Sequence, residues 1–146
     1  MSPEELISSI YLGDRSCKGI LLYTLPSRVE LWIDCISRIR DPSGNWNFYT
    51  EEDLVDGRIV FTGVEGFSME PTGWIPNDFI ESLRLVRRLE SGLSEFEFVV
   101  GAVDCEKKSE LVKIRIFARV IELVEGPPVD RPSNSEDKPK TSGFDS

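Results

Sequence analysis

The clearest strand pattern in the chain is the stretch LVKIRIFARVIELVE at residues 111–125. Apolar side chains occupy the even positions from Val112 to Ala118, and Lys113 and Arg115 lie between them. A period of two is typical of a β-strand with one buried face. After Val120-Ile121 the apolar residues fall on the odd positions instead. We therefore predict one long strand with a β-bulge near Val120-Ile121, because an extra residue restores the buried face.

Shorter alternating stretches predict that most of the remaining chain is also β-structure. In residues 28–40 the apolar positions change phase at Cys35-Ile36, where we predict a β-bulge or a twist. The turn at Pro26-Ser27 joins this strand to the preceding one, which predicts a hairpin. The strands predicted before the last one are residues 17–25, 28–40, 58–64 with a continuation over 67–70, and 96–103.

Two short helices are predicted beside these strands. Ser2-Pro3-Glu4-Glu5 offers a Ser N-cap, a Pro at the first helical position and a Glu that completes a capping box. Asn77 is suited to cap a second helix over residues 78–82, which then runs into a strand. The pattern of residues 83–89 fits either a helix or a strand.

These elements predict a mostly β (α+β) fold, with about five to six strands and one or two short helices in an antiparallel, twisted sheet or half-barrel. Residues 1–126 form a single domain in this interpretation. Residues 127–146 are rich in Pro, Ser and charged side chains and have almost nothing to bury, so we predict a disordered C-terminal tail.

The charge of the chain restricts its partners. The sequence has 26 Asp and Glu against 17 Lys and Arg, which gives a net charge of −9 over 146 residues. Such a surface repels nucleic acid and anionic membranes, so neither is an expected partner. It attracts basic protein surfaces instead. With no apolar run of about 20 residues and no signal-peptide pattern, we expect a cytoplasmic protein.

The residue types that are missing argue against most catalytic chemistry. The chain has no His, which excludes Ser-His-Asp and Cys-His arrangements and the usual His ligands of zinc and iron. Its three cysteines form no C-x-x-C pair, so we expect buried, reduced thiols. We predict no enzyme activity, no catalytic residue, no metal and no cofactor. A carboxylate-based hydrolase is the enzymatic alternative, but no spacing selects a pair of acids.

Alternation over residues 28–40 places Glu30, Trp32 and Asp34 together on the outward face of a strand. An aromatic side chain between carboxylates on an exposed sheet face is suited to bind a basic protein surface. The alternative is cross-strand pairing inside the protein. Its partners would be a basic stripe with the same spacing, Lys113, Arg115 and Arg119.

Residues 41–56 form a long loop that combines aromatic and acidic side chains. Loops carry binding residues more often than strands do, and exposed aromatic groups are costly unless they pack or bind. The alternative is that this loop folds back over one end of the sheet. Its candidate partner-binding residues are Trp46, Phe48, Tyr49, Glu51, Glu52 and Asp53.

Several stretches together resemble a small uncharacterised family of bacterial proteins. They are YLGDRSCKGI at 11–20, ISRIRDPSGNW at 36–46, FYTEED at 48–53, IVFTGV at 59–64 and IPND at 75–78. The resemblance spans roughly residues 3–125. That family is similar to immunity proteins of polymorphic toxin systems that open with an aromatic-His-Asp motif. Tyr11-Leu12-Gly13-Asp14 stands in the place of this motif, without its His.

The resemblance implies an intracellular, non-enzymatic protein that binds and blocks a cognate bacterial toxin. The expected partner is then a protein, such as a basic toxin domain. The alternative function is a self-associating structural protein or complex subunit with no toxin partner, for example a homodimer, because exposed strand edges can pair.

Overall fold

A computed structural model describes residues 2–13, 15–38 and 54–128 of the chain. Within these ranges the chain forms one helix and eleven strands. They are α1 (Pro3–Ser8), β1 (Ile10–Tyr11), β2 (Cys17–Thr24), β3 (Ser27–Ile33), β4 (Cys35–Arg38), β5 (Leu54–Val55), β6 (Arg58–Thr62), β7 (Gly66–Glu70), β8 (Ile80–Arg88), β9 (Ser94–Val103), β10 (Ser109–Ala118) and β11 (Val120–Val124).

The strands of this region form three antiparallel sheets. The first sheet has the order β11-β6-β3-β2, and the second sheet has the order β7-β10-β9-β8. A small third sheet has the order β1-β4-β5. The prediction of a mostly β, antiparallel fold with a short helix is confirmed, and so is the predicted hairpin, which is β2 and β3.

One hydrophobic core lies between the inner faces of the first and second sheets. Phe61 of the first sheet meets Phe96 of the second sheet edge to face, with ring centroids 5.1 Å apart. Both rings are fully buried, and Leu6 of α1 joins the same cluster. Aromatic pairs in this geometry add to the free energy gained by burying their apolar area.

At the bulge predicted near Val120-Ile121, and at the bulge or twist predicted near Cys35-Ile36, the chain instead leaves one sheet for another. β10 ends at Ala118 in the second sheet, and β11 begins at Val120 in the first sheet. In the same way, the chain leaves the first sheet at Asp34 and enters the third sheet as β4. A change of phase exchanges the two faces of a strand. Between β10 and β11 the chain also moves to the facing sheet, so the apolar side chains of both strands point into one core.

The N-terminal helix follows its sequence signals. The Ser2 hydroxyl accepts the Glu5 backbone N–H at 3.1 Å, and Glu5 Oε1 accepts the Ser2 backbone N–H at 2.8 Å. This is the predicted capping box.

In the part of the chain that the structure describes, no helix has the length and apolar character that a membrane span requires.

The predicted helix over residues 78–82 is wrong, because β8 begins at Ile80. The backbone N–H of Asp78 donates to Gly101, and Gly101 in turn donates to Phe79, so the segment pairs with β9. The Asn77 side chain exchanges hydrogen bonds with the Val103 backbone instead of capping a helix. The predicted disordered tail lies outside the described residues apart from Pro127 and Pro128.

The prediction of buried thiols is right for Cys17 and wrong for Cys105, which is exposed. This difference in exposure predicts different reactivity. Burial raises the pKa of the Cys17 thiol to about 11, whereas Cys105 is exposed. The thiolate is the reactive form. We expect iodoacetamide at pH 8 to modify Cys105 in the folded protein and Cys17 only after unfolding, as peptide mass spectrometry will show. Modification of Cys17 at the same rate as Cys105 in native buffer would contradict the buried environment.

Candidate functional site

The candidate surface is the side of the first sheet that faces away from the core. Cross-strand register places Tyr23 beside Arg28, Glu30 between Leu21 and Val60, and Trp32 beside Arg58. None of these apolar side chains belongs to the core cluster. We call this surface the outer face, and its members on β2, β3 and β6 that concern the site are Leu21, Tyr23, Arg28, Glu30, Trp32, Arg58 and Val60.

Glu30 is buried at the centre of the outer face, at 2% exposure. Arg58 Nη1 donates to its Oε1 at 2.9 Å, and Arg28 Nε lies 3.0 Å from its Oε2 as an ion pair. Arg58 is held from its other side, since its Nε donates to the carbonyl of Gly126 at 3.0 Å. The prediction that Glu30 is exposed is therefore wrong, because two arginines from its own sheet cover it.

Trp32 is half-buried on the outer face and is held by a cation and an anion. Its Nε1 donates to Asp56 Oδ1 at 3.2 Å. Lys18 Nζ lies 4.8 Å from the indole centroid and 2.7 Å from the same carboxylate oxygen. The Lys18 hydrogen bond lowers the pKa of the Asp56 carboxyl, and the bond from Trp32 lowers it further. The carboxylate therefore stays charged, and keeps its bond to the ring, to a lower pH than an ordinary aspartate.

Asp34 does not belong to the outer face, because β3 ends at Ile33. Its Oδ1 accepts the Ser16 backbone N–H at 3.0 Å, and its backbone carbonyl accepts the Asp56 N–H at 2.9 Å. Both contacts join neighbouring segments where the chain leaves the first sheet. The structure therefore gives Asp34 a positioning role at this crossing, and the predicted stripe reduces to Glu30 and Trp32.

The other predicted partner-binding residues lie outside the described residues: Trp46, Phe48, Tyr49, Glu51, Glu52 and Asp53. The strands on either side of residues 39–53 are β4 and β5, which pair through Cys35 with Val55 and Ile36 with Leu54. Asp56 follows directly after β5 and bonds to Trp32. The described flanks of the predicted loop are thus connected to the outer face.

The predicted basic stripe does not face the acidic stripe. Lys113 and Arg115 lie on the outward side of the second sheet, near Glu97 and Glu95 at 3.9 and 3.7 Å. Closer contacts reach the same two carboxylates from β8, where Arg84 and Arg87 donate through Nε at 2.8 and 2.7 Å. Arg119 pairs with Glu65 at the chain crossing instead. Cross-strand ion pairs do form, but not between the two predicted stripes. Glu30 pairs with Arg58, and Glu97 and Glu95 pair with Arg84 and Arg87.

A β-bulge explains how Arg84 and Arg87 reach the same side of β8. Residues three apart on a regular strand point to opposite faces. The register with β9 shifts between Leu85 and Arg87, which brings both guanidinium groups over Glu97 and Glu95. These acids are buried, so their four cationic neighbours compensate charges that are costly to desolvate.

An apolar groove between the edges of the two large sheets was not predicted. It lies between β2 and β7, and it encloses about 350 Å³. Leu22 at 57% and Ile75 at 76% exposure stand at its rim. The irregular segment PTGWIP at 71–76 was the available sequence signal, but only the fold brings it beside β2. The apolar residues that line the groove are Ile20, Leu22, Phe67, Met69, Trp74 and Ile75.

The described residues define a small antiparallel β protein with two facing sheets and two chemically different outward surfaces. Among them, no group of three or more Cys, Asp or Glu residues is arranged to hold a metal ion. The chain belongs to the Family of unknown function (DUF6258), whose model matches residues 1–131. No curated protein and no solved structure matches the chain.

The buried acid on the outer face generates a stability prediction. Replacing Glu30 by Ala leaves Arg58 without its anion, which we expect to lower the free energy of unfolding by about 3 kcal/mol. Glu122→Ala is the matched control, because Glu122 lies in the same cross-strand row but is exposed. We expect the control to change stability by no more than about 0.5 kcal/mol. Urea unfolding measures both, and equal effects would contradict the ion-pair network.

Proposed function

We propose that this protein is a non-enzymatic binding protein and that a partner protein docks on the outer face of the first sheet. The observation that carries the proposal is the half-buried Trp32 on this face, outside the core cluster. Tyr23 and Leu21 accompany it on the neighbouring strand. Apolar and aromatic side chains on an outward sheet face are typical of a surface that a partner covers.

The second sheet provides the contrast that supports this choice. Its outward side carries the ion pairs of Glu95 and Glu97 with their four cationic neighbours, which suits contact with water. The first sheet instead carries one buried acid, Glu30, which is paired with Arg28 and Arg58. Its cross-strand neighbours are the aliphatic side chains of Leu21 and Val60.

Trp32 has the properties of an interface anchor. Tryptophan is enriched among residues that contribute most to protein–protein affinity, and its few rotatable bonds lose little entropy on binding. Here the hydrogen bond to Asp56 and the contact with Lys18 orient the ring before any partner arrives. A prearranged side chain lowers the entropic cost of association.

The net charge of −9 supports a basic partner, because opposite charge accelerates encounter. The resemblance to immunity proteins favours a cognate bacterial toxin domain as that partner. We accordingly propose an inhibitor that acts in the cytoplasm and blocks the toxin by occupying its active surface. The alternative is a self-associating structural or complex-subunit protein, which the unpaired edge of β2 in the described part of the chain favours.

Trp32→Ala tests the proposed face. The partner is first identified by affinity capture from the native lysate, and binding is then measured by calorimetry with purified proteins. Loss of a central aromatic anchor is expected to weaken binding by at least about 30-fold. Leu111→Ala is the control, since Leu111 is an apolar surface residue, 48% exposed, on β10 of the second sheet. Thermal melting of both variants separates lost binding from lost folding, and unchanged affinity in a folded Trp32→Ala protein removes this face from the proposal.

Glu51, Glu52 and Asp53 lie outside the described residues, and they are tested separately. If they contact a basic partner, their joint replacement by Ala weakens binding, and more strongly at low salt, because salt screens exposed charges. Calorimetry at two salt concentrations measures the difference. A loss of affinity that does not depend on salt would exclude a charge contact.

A further inference from the structure

We propose that β2 is a dimerisation edge, at which two copies of this chain pair antiparallel about a two-fold axis at Leu21. Within the described residues β2 is the last strand of the first sheet, so its outward backbone groups have no neighbouring strand. It is eight residues long and contains the exposed Leu22. Unpaired edges of this kind readily add a strand.

The other described edges of the two large sheets are less suited to pairing. The helix α1 contacts both β11 and β8. Directly before β8, Phe79 forms an isolated antiparallel bridge with Ser16. β7 is only five residues long and has Glu65 before it and Glu70 at its end. Short edges with charged residues resist strand addition.

Charge is the main obstacle to self-association, because each copy carries a net charge of −9. β2 is the place where this obstacle is smallest. The segment CKGILLYT contains no acidic residue, and its one charge, on Lys18, is balanced by Asp56 at 2.7 Å. Two β2 strands therefore meet without bringing like charges together. We expect added salt to strengthen the dimer, because it screens the repulsion between the net negative charges of the two copies.

A two-fold axis at Leu21 makes the strand complementary to itself. On the groove side, Leu22 of one copy lies opposite Ile20 of the other, which covers the side chain that is 57% exposed in the monomer. On the outer face, Tyr23 lies opposite Gly19 of the second copy. Because Gly19 has no side chain, the tyrosine ring of one copy has room beside the Trp32 that neighbours Gly19 in the other copy. An aromatic ring that covers a glycine in a strand is also favourable.

The dimer joins the two first sheets into one continuous sheet. Their outer faces then lie side by side, so that a dimer presents two copies of the Trp32 surface. The pairing uses the strand edge and the proposed partner surface is the sheet face. Tyr23 belongs to both surfaces, so the dimer is tested through Leu22, which lies on the groove side of β2.

Sedimentation analysis of the full chain tests the oligomeric state. At high micromolar concentration we expect a species of twice the 16.5 kDa chain mass. Leu22→Lys is expected to return the protein to one chain mass, because it places two lysines at the pairing edge. Leu111→Lys is the matched control, with 48% exposure on another strand, and is expected to remain dimeric. A wild-type protein that sediments as a single chain overturns the proposal.

Cysteine cross-linking tests the register. In a Cys105→Ser background, Leu21→Cys places two thiols opposite each other on the two-fold axis, at a spacing that a disulfide can bridge. Tyr23→Cys is the control on the same strand and face, because its two copies are four positions out of register, about 13 Å apart. We expect mild oxidation to cross-link the first variant and not the second. Cross-linking of Tyr23→Cys but not Leu21→Cys overturns the proposed axis.

Discussion

The crossing at Arg119 is the constraint on which both large sheets depend. There β10 passes from the second sheet into β11 of the first, and β6 passes in the other direction into β7. Two backbone hydrogen bonds join the crossings, from Arg119 to Thr62 at 3.1 Å and from Glu65 to Phe117 at 2.8 Å. Gly63 has φ +63° and lies against the Arg119 side chain, so the corner needs a residue that accepts positive φ. Both strands thereby direct their apolar positions into one core.

Three buried glutamates distinguish the outward surfaces of the sheets. Glu95 and Glu97 sit beneath cations that remain largely in water, and they make the second sheet an ion-pair surface. Glu30 is bound by Arg58, which is itself mostly buried, and its neighbours are aromatic and aliphatic. Because a buried charge must be paired, each acid fixes the arginines around it. On the first sheet this leaves Trp32 and Tyr23 as half-buried aromatic groups of the outer face.

The candidate site could be predicted only in part. Alternation along β3 correctly placed Glu30 and Trp32 on one face, because the side-chain period of a strand is fixed. Alternation does not show whether arginines from neighbouring strands cover that face, so the burial of Glu30 was missed. Asp34 was misplaced because the strand ends one residue earlier, where the chain leaves the sheet. Lys18 and Asp56 are far from Trp32 in sequence, and no pattern connects them to it.

The sequence by itself determined the local structure: the capping box of α1, the β2–β3 hairpin and the mostly β, antiparallel character follow from side-chain chemistry and spacing over a few residues. The tertiary structure decided the rest. Residues 80–88 form a strand because β9 offers backbone partners on one side, although their apolar spacing also fits a helix. The phase changes near Asp34 and Arg119 mark places where the chain passes from one sheet to another. At Arg119 the second sheet and the first sheet face the same core, so both phases bury their apolar side chains there. Pairings between distant strands satisfy backbone groups and bury apolar area together, and a single chain's sequence pattern does not show which strand lies opposite.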